Sequence, residues 1–192
     1  INLYYSFKFE CRSIVCRLFF PNKKPRLKIN ENNLLHLGCG PNKLDGWING
    51  DFFIPLKFGQ KKEDKPDWML DLRFPLHCDD NVWDGVFSEH TLEHLYPLQV
   101  LNLLKELYRT MKPGAWLRIT VPDLKKYIHY YCDGAVDENF ERWSSGCEAI
   151  RDLTQNHKHT SLWDAQLLSR FLKEANFINI KEVSFKEGTD ER

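Results

Sequence analysis

Two spacings organise the apolar residues of this chain. Short, mostly apolar runs recur at about residues 33–37, 47–51, 68–72, 82–88, 115–121 and 178–185, and runs of this length predict strands buried in a sheet. Val100, Leu103, Leu104, Leu107, Tyr108 and Met111 repeat at helical spacing instead. They predict a helix over 97–111 that stops before Lys112-Pro113-Gly114. Trp163, Leu167, Leu168, Phe171 and Leu172 share a face of a second helix, with Ser161-x-x-Asp164 as its cap. Strands alternating with helices predict an α/β fold with a largely parallel sheet. Residues 56–66 are polar and lysine-rich, a loop, and from 122 to about 158 the periodicity fades.

The first 28 residues stand apart. They carry Lys8, Arg12, Arg17, Lys23, Lys24, Arg26 and Lys28 against Glu10 alone, among apolar Ile14, Val15, Leu18, Phe19 and Phe20. This segment predicts an amphipathic helix covering the sheet, with contact to a membrane surface or a partner as the alternative. The remaining chain, 29–192, is expected to be one domain, since 192 residues at 42% hydrophobic content support one full core. Twenty-seven basic and 27 acidic residues cancel, which argues against a nucleic-acid partner. Cys11, Cys16, Cys39, Cys78, Cys132 and Cys147 lie far apart without a C-x-x-C pair, and no signal peptide precedes them. They read as reduced thiols of a cytoplasmic protein. No apolar run approaches the length that spans a bilayer. A chain that begins at Ile1 is expected to be trimmed from a longer one.

The chemistry gathers at the ends of the predicted strands. Leu34-Leu35-His36-Leu37 breaks into Gly38-Cys39-Gly40, and the next run closes on Asp51. Glycines let the backbone approach a ligand, and an acid at the next strand end can accept both ribose hydroxyls. The connection Pro41-Asn42-Lys43-Leu44-Asp45-Gly46 is shorter than a crossover helix, and Lys43 stands where a dinucleotide fingerprint has its third glycine. NAD is therefore disfavoured, and an adenosine ligand without phosphates suits better. Asp71 ends the third run and Ser88-Glu89-His90 the fourth, so four successive strand ends carry glycine or polar groups.

Across residues 33–186 the chain resembles the class I S-adenosylmethionine-dependent methyltransferases. The resemblance rests on 36–40, on Trp83-Asp84-Gly85-Val86-Phe87-Ser88-Glu89-His90-Thr91-Leu92-Glu93-His94, and on Met111-Lys112-Pro113-Gly114-Ala115-Trp116-Leu117. It implies a Rossmann-like sheet with S-adenosylmethionine as cofactor. Gly38, Cys39 and Gly40 would then pack under its methionine part and Asp51 would hold the ribose. Asp71 and Leu72 would face the adenine, and Ser88, Glu89 and His90 would line the floor near the sulfonium. His36, which would join these cofactor-binding residues, stands where many members carry an acid. The subgroup the chain looks like is associated with bacterial surface-polysaccharide synthesis, which implies methyl transfer to oxygen of a small-molecule or glycan acceptor. Residues 123–158 fall where the family inserts a substrate cover, so Tyr127, Tyr130, Tyr131 and Trp143 would stack on the acceptor or form a small helical core. The family's sheet usually ends with two antiparallel strands. Only 186–192 follows the last run, so the final strand is expected to be missing and the native chain to extend past Arg192.

His90, Glu93 and His94 stand at i, i+3 and i+4 and would share a helical face. His-x-x-Glu-His also matches an inverted zinc-protease motif, but its place at a strand end downstream of a cofactor turn argues otherwise. The segment is similar to metal-binding methyltransferases of ubiquinone synthesis and of small-RNA 3′ ends, the latter adding a later histidine like that in Asn156-His157-Lys158-His159. That similarity implies a divalent metal on His90, Glu93, His94 and His159. The metal-free alternative has His90 or His159 as general base. A metal-assisted RNA 2′-O-methyltransferase and a non-catalytic cofactor-binding or partner-binding module are the competing functions.

Overall fold

A computed structural model describes residues 3–19, 24–52, 65–134, 138–184 and 187. Strands β1 (Leu34–Leu37), β2 (Ile48–Asp51), β3 (Trp68–Met69), β4 (Trp83–Glu89) and β5 (Met111–Thr120) form one sheet in the order β3-β2-β1-β4-β5. Every pairing is parallel. All carboxyl ends therefore meet at one edge, where an open α/β sheet takes its ligand. The helices are α1 (Leu3–Phe19), α2 (Pro97–Thr110), α3 (Leu124–Asp133), α4 (Gly146–Arg151) and α5 (Ala165–Glu174).

The main core joins the α2 stripe Val100, Leu103, Leu104 and Leu107 to Leu35, Leu37 and Val86 of the sheet, all buried. Leu167, Leu168, Phe171 and Leu172 of α5 pack against the same core. Pro97 opens α2, where its missing N–H costs nothing. Asp164 caps α5, its carboxylate accepting from the Leu167 N–H at 2.7 Å. Ser161 is not the cap, because it lies outside the helix that begins at Ala165, and its Oγ accepts from Trp163 Nε1 at 2.8 Å instead.

The connection from β1 to β2 has no helix, and Asn49 braces it. Its Oδ1 accepts from the Leu44 N–H at 2.8 Å, and its Nδ2 donates to Leu44 O at 3.1 Å and to Asp67 Oδ2 at 2.9 Å. His36, buried and stacked on Phe87 at 5.3 Å, adds a 3.3 Å bond from Nδ1 to the same Oδ1. Burial lowers the His36 pKa, which keeps the ring neutral inside this brace.

Helix α1 reaches the sheet through polar contacts. Ser13 Oγ donates to Asp71 Oδ2 at 2.7 Å, and Arg73 donates to Asp71 from its backbone N–H, Nε and Nη2 at 3.1, 2.9 and 2.7 Å. Arg73 also pairs with Glu10 of α1. The apolar residues expected to cover the sheet instead lie largely outside, with Phe7 and Leu18 70% and 71% exposed. The side chain of Phe19 and all of Phe20 lie outside the described residues.

Between β5 and α5, Phe140, Trp143 and Ala149 are buried with Tyr127 and Tyr130 packed on them, a second, smaller core. Tyr131 is exposed. Residues 178–184 form no strand, contrary to their apolar pattern; Phe185 lies outside the described residues. Alternation makes a strand only where a neighbouring backbone is in register, and Ile178 is 81% exposed. No strand beyond β5 occurs among the described residues. The loop expected at 56–66 falls mostly outside them, as do most of 186–192.

Burial alone would raise the Asp71 pKa, but the hydrogen bonds from Arg73 and Ser13 outweigh it and hold the carboxyl below its usual range. A depressed pKa stabilises the fold above the unfolded value of about 4 and is lost as pH falls through the folded one. Asp71→Asn is therefore expected to unfold at lower urea than wild type at neutral pH, with the gap closing below about pH 4. Urea midpoints measured across this range test it, and a gap that does not change with pH contradicts it.

Candidate active site at the strand ends

Gly38 and Gly40 adopt left-handed φ values of 68° and 51°, a region that side-chain-bearing residues resist. At Gly38 space also excludes a side chain, since a Cβ would fall 2.0 Å from Thr91 Oγ1. At Gly40 a Cβ meets nothing within 4 Å, so the turn is open on that side. The Gly38 and Cys39 N–H groups donate to Gly50 O at 2.8 and 3.3 Å, and the Gly40 N–H donates to Asp51 Oδ2 at 2.6 Å. Burial pushes the Cys39 thiol up to about 11, which makes it a protonated packing group rather than a nucleophile.

Lone-pair counting separates the two acids singled out by the sequence. A carboxylate offers about four acceptor sites. Asp51 uses one on each oxygen, for the Gly40 N–H and for the Phe52 N–H at 2.5 Å. Among the described residues nothing else donates to it, so one site per oxygen remains, which suits two vicinal hydroxyls. Asp71 spends all four on Arg73 and Ser13 and is buried. The expected bond from its carboxylate to an adenine amine therefore has no acceptor in this arrangement. Leu72 is likewise buried, within the main core. His36 is committed to Asn49 rather than to the strand-end edge.

At the end of β4, Ser88 is buried beside Leu37 of β1, and its Oγ has no hydrogen-bond partner. Such a hydroxyl costs free energy until something bonds it. Glu89 pairs in register with Thr120 of β5. His90 follows with a left-handed φ of 47°, the turn that carries the chain into a short 3₁₀ segment, Leu92–His94.

That turn gathers the titratable cluster. Glu93 is only 1% exposed, and its Oε1 lies 3.2 Å from His90 Nδ1 and 3.9 Å from His159 Nε2. The His94 and His159 rings meet edge to face at 5.0 Å. Ligand atoms of Glu93, His94 and His159 all lie within 4.8 Å of one another. Glu93 Oε2 is buried without a partner among the described residues. The hydrogen bond to Glu93 raises the His90 pKa, whereas burial lowers that of His159. Two histidines sharing one carboxylate thus favour opposite protonation states.

The sequence-predicted residues Gly38, Gly40, Asp51 and Ser88 come together at adjacent strand ends, and His90, Glu93, His94 and His159 gather beside them. Sequence reading missed Asn49 and Asp67, which shape the loop, and Thr91, which fills the space against Gly38. It also missed the Thr160 and Ser161 N–H groups, which bond Glu93 O at 2.8 and 3.1 Å and bring His159 to the cluster. A polar Asn49 within the β2 run was the one available signal; backbone donors leave none.

A family model for a methyltransferase domain matches residues 8–182. No curated protein sequence matches the chain. Among solved structures, the phosphoethanolamine N-methyltransferase 2 of Haemonchus contortus, in complex with S-adenosyl-L-methionine, is similar at TM-score 0.50 and 16% identity. The match covers 90% of this chain and 38% of that one, so the chain spans well under half of that enzyme's length. A SAM-dependent methyltransferase from Archaeoglobus fulgidus is similar at TM-score 0.48 and 21% identity, covering 94% of this chain and 76% of its own. On the family match, and with a parallel sheet flanked by helices in the Rossmann-like α/β arrangement, the chain belongs to the methyltransferase domain family of class I S-adenosylmethionine-dependent enzymes.

Proposed function

We propose that the chain transfers a methyl group from S-adenosylmethionine to an oxygen of a small-molecule or glycan acceptor, the chemistry of surface-polysaccharide modification. The observation that carries the cofactor is the lone pair that no described residue occupies on each oxygen of Asp51, beside the open side of Gly40. The unpartnered buried hydroxyl of Ser88 adds a third group for a ligand to satisfy. When bound, S-adenosylmethionine supplies an electrophilic methyl on a sulfonium that leaves as a neutral thioether. Asp51 would hold the ribose, the Gly38–Gly40 turn would pack on the methionine part, and Ser88 and Glu89 would border the reacting carbon.

An oxygen acceptor is favoured by the cluster beyond β4. A hydroxyl attacks only as its proton leaves, so positioning alone does not suffice. His159, whose pKa burial lowers, would take that proton, and His90, biased toward its charged form and 3.2 Å from Glu93, would pair with that carboxylate. Tyr131 and the small core of α3 and α4 would cover the acceptor. The balanced total charge favours a compact acceptor over RNA.

A second reading places a divalent metal on Glu93, His94 and His159, with His90 as a neighbour. The donor set fits, because the ligand atoms lie within 4.8 Å and the buried Glu93 Oε2 has no partner among the described residues. Two imidazoles and one carboxylate suit zinc, iron or manganese better than magnesium. The ion would polarise an acceptor oxygen.

Incubation with methyl-labelled S-adenosylmethionine and separate pools of polysaccharide precursor, phosphoethanolamine and RNA tests the main reading. Label is expected in the polysaccharide fraction, and His159→Ala is expected to lower kcat by about 10²- to 10⁴-fold with little change in the KM for S-adenosylmethionine. Label in amine or RNA alone overturns the acceptor, and no label anywhere overturns the activity in favour of a binding module. For the metal, titration of chelator-treated protein with Mn²⁺ or Zn²⁺ should show one site per chain that Glu93→Gln weakens about tenfold or more. Absence of saturable binding rules the metal out.

A further inference from the structure

Helix α1 is mounted with its polar side inward. Ser13, Glu10 and Arg17 face the domain, through Asp71, Arg73 and the Phe74 ring, which lies 3.9 Å from the Arg17 guanidinium carbon. Phe9 on the same side meets the Phe52 ring at 5.2 Å. The opposite side carries Phe7, Cys11, Ile14 and Leu18 at i, i+4, i+7 and i+11, with Val15 beside them, and all five are exposed. A row at this spacing is one continuous stripe along the helix. Ordinarily such a stripe is the buried side, and here the polar ties to Asp71 and Arg73 hold it outward.

We propose that this stripe docks α1 onto the surface of an anionic lipid membrane, lying in the interface with its axis parallel to the bilayer. Charge selects this occupant. Residues 1–28 carry seven Lys and Arg against Glu10, in a chain whose totals cancel, so the rest of the protein is net acidic. Of the seven, Arg17 faces the domain and Lys24 and Lys28 form exposed pairs with Asp79 and Glu31, while the net charge of the segment stays positive. An apolar stripe with a basic flank on an otherwise acidic domain is attracted to anionic lipid by this end alone. A second copy is a poor occupant, because a two-fold contact through α1 would set the same basic segments against each other. Among the described residues no helix is long and apolar enough to cross a membrane, so the contact is with the surface. Asp71, Arg73 and Phe52 lie just past the carboxyl ends of β2 and β3. Docking through α1 therefore holds the strand-end edge near the bilayer, within reach of an acceptor carried on it.

Flotation of the full chain with phosphatidylcholine vesicles containing about 30% phosphatidylglycerol, or none, tests the proposal. Wild type is expected to float with the anionic vesicles, far less with neutral ones, and less as salt rises. The triple variant Phe7→Ser, Ile14→Ser, Leu18→Ser should bind on the order of a hundredfold more weakly with an unchanged melting temperature. Arg26→Glu, which leaves the stripe intact, should weaken anionic binding several-fold. Wild type that stays unbound, equal binding to both vesicle types, or a soluble dimer that the triple variant dissociates would overturn it. If the triple variant does not fold, the Arg26→Glu result alone decides.

Discussion

The hydrogen bond from the Gly40 N–H to Asp51 Oδ2 joins the end of β1 to the end of β2, and the candidate site depends on it. It holds the glycine turn open at Gly40 and leaves each oxygen of Asp51 one acceptor site. It spans the turn in which Gly38 and Gly40 take left-handed conformations and Thr91 fills the space where a Gly38 side chain would stand. Without a crossover helix after β1, the following loop needs another anchor. Asn49 supplies it by bonding both backbone groups of Leu44. Replacing a helix with a side-chain brace also removes the helix N-terminus that would hold a pyrophosphate, in keeping with a cofactor that has none.

Much of this was legible in the residues because it depends on local pattern. Mostly apolar runs place β1, β2 and β4 within a residue of their observed limits, and the 3–4 spacing of Val100, Leu103, Leu104 and Leu107 places α2. By contrast, β3 is shorter than its run, β5 begins at Met111 and takes in Lys112-Pro113-Gly114, and α5 is capped by Asp164 rather than by Ser161. What the sequence did not convey depends on partners distant in the chain. Asp71 and Asp51 look alike at the ends of their runs, and only the position of Arg73 and Ser13 shows that one is saturated. His36 was read as a cofactor group, yet its place on the face opposite Leu35 and Leu37 puts it against Asn49 and Phe87. The apolar run at 178–184 has strand composition and lacks a paired neighbour. Helix α1 has the expected amphipathic character, but its orientation is set by the buried ion pair at Asp71 rather than by its apolar stripe.

The cluster beyond β4 shows how two distant segments make one chemical unit. Leu92–His94 supplies Glu93 and His94, and backbone bonds from Thr160 and Ser161 to Glu93 O fasten the segment before α5 beside them. Glu93 is buried with its histidines on different sides of the exposure scale, His90 largely exposed and His159 nearly enclosed. The hydrogen bond to Glu93 raises the His90 pKa while burial lowers that of His159, which drives the two apart. The same arrangement serves proton removal directly or holds an ion that would do so, and in both cases it lies at the strand end next to Ser88.

Asp51, rather than Asp71, is the acid with capacity for a ligand among the described contacts. Calorimetric titration with S-adenosylhomocysteine tests this directly, using wild type, Asp51→Asn and Asp71→Asn. One site per chain is expected in wild type, weakened about ten- to a hundredfold in Asp51→Asn and within a few-fold of wild type in Asp71→Asn. Equal losses in the two variants, or no binding by wild type at millimolar ligand, would contradict it.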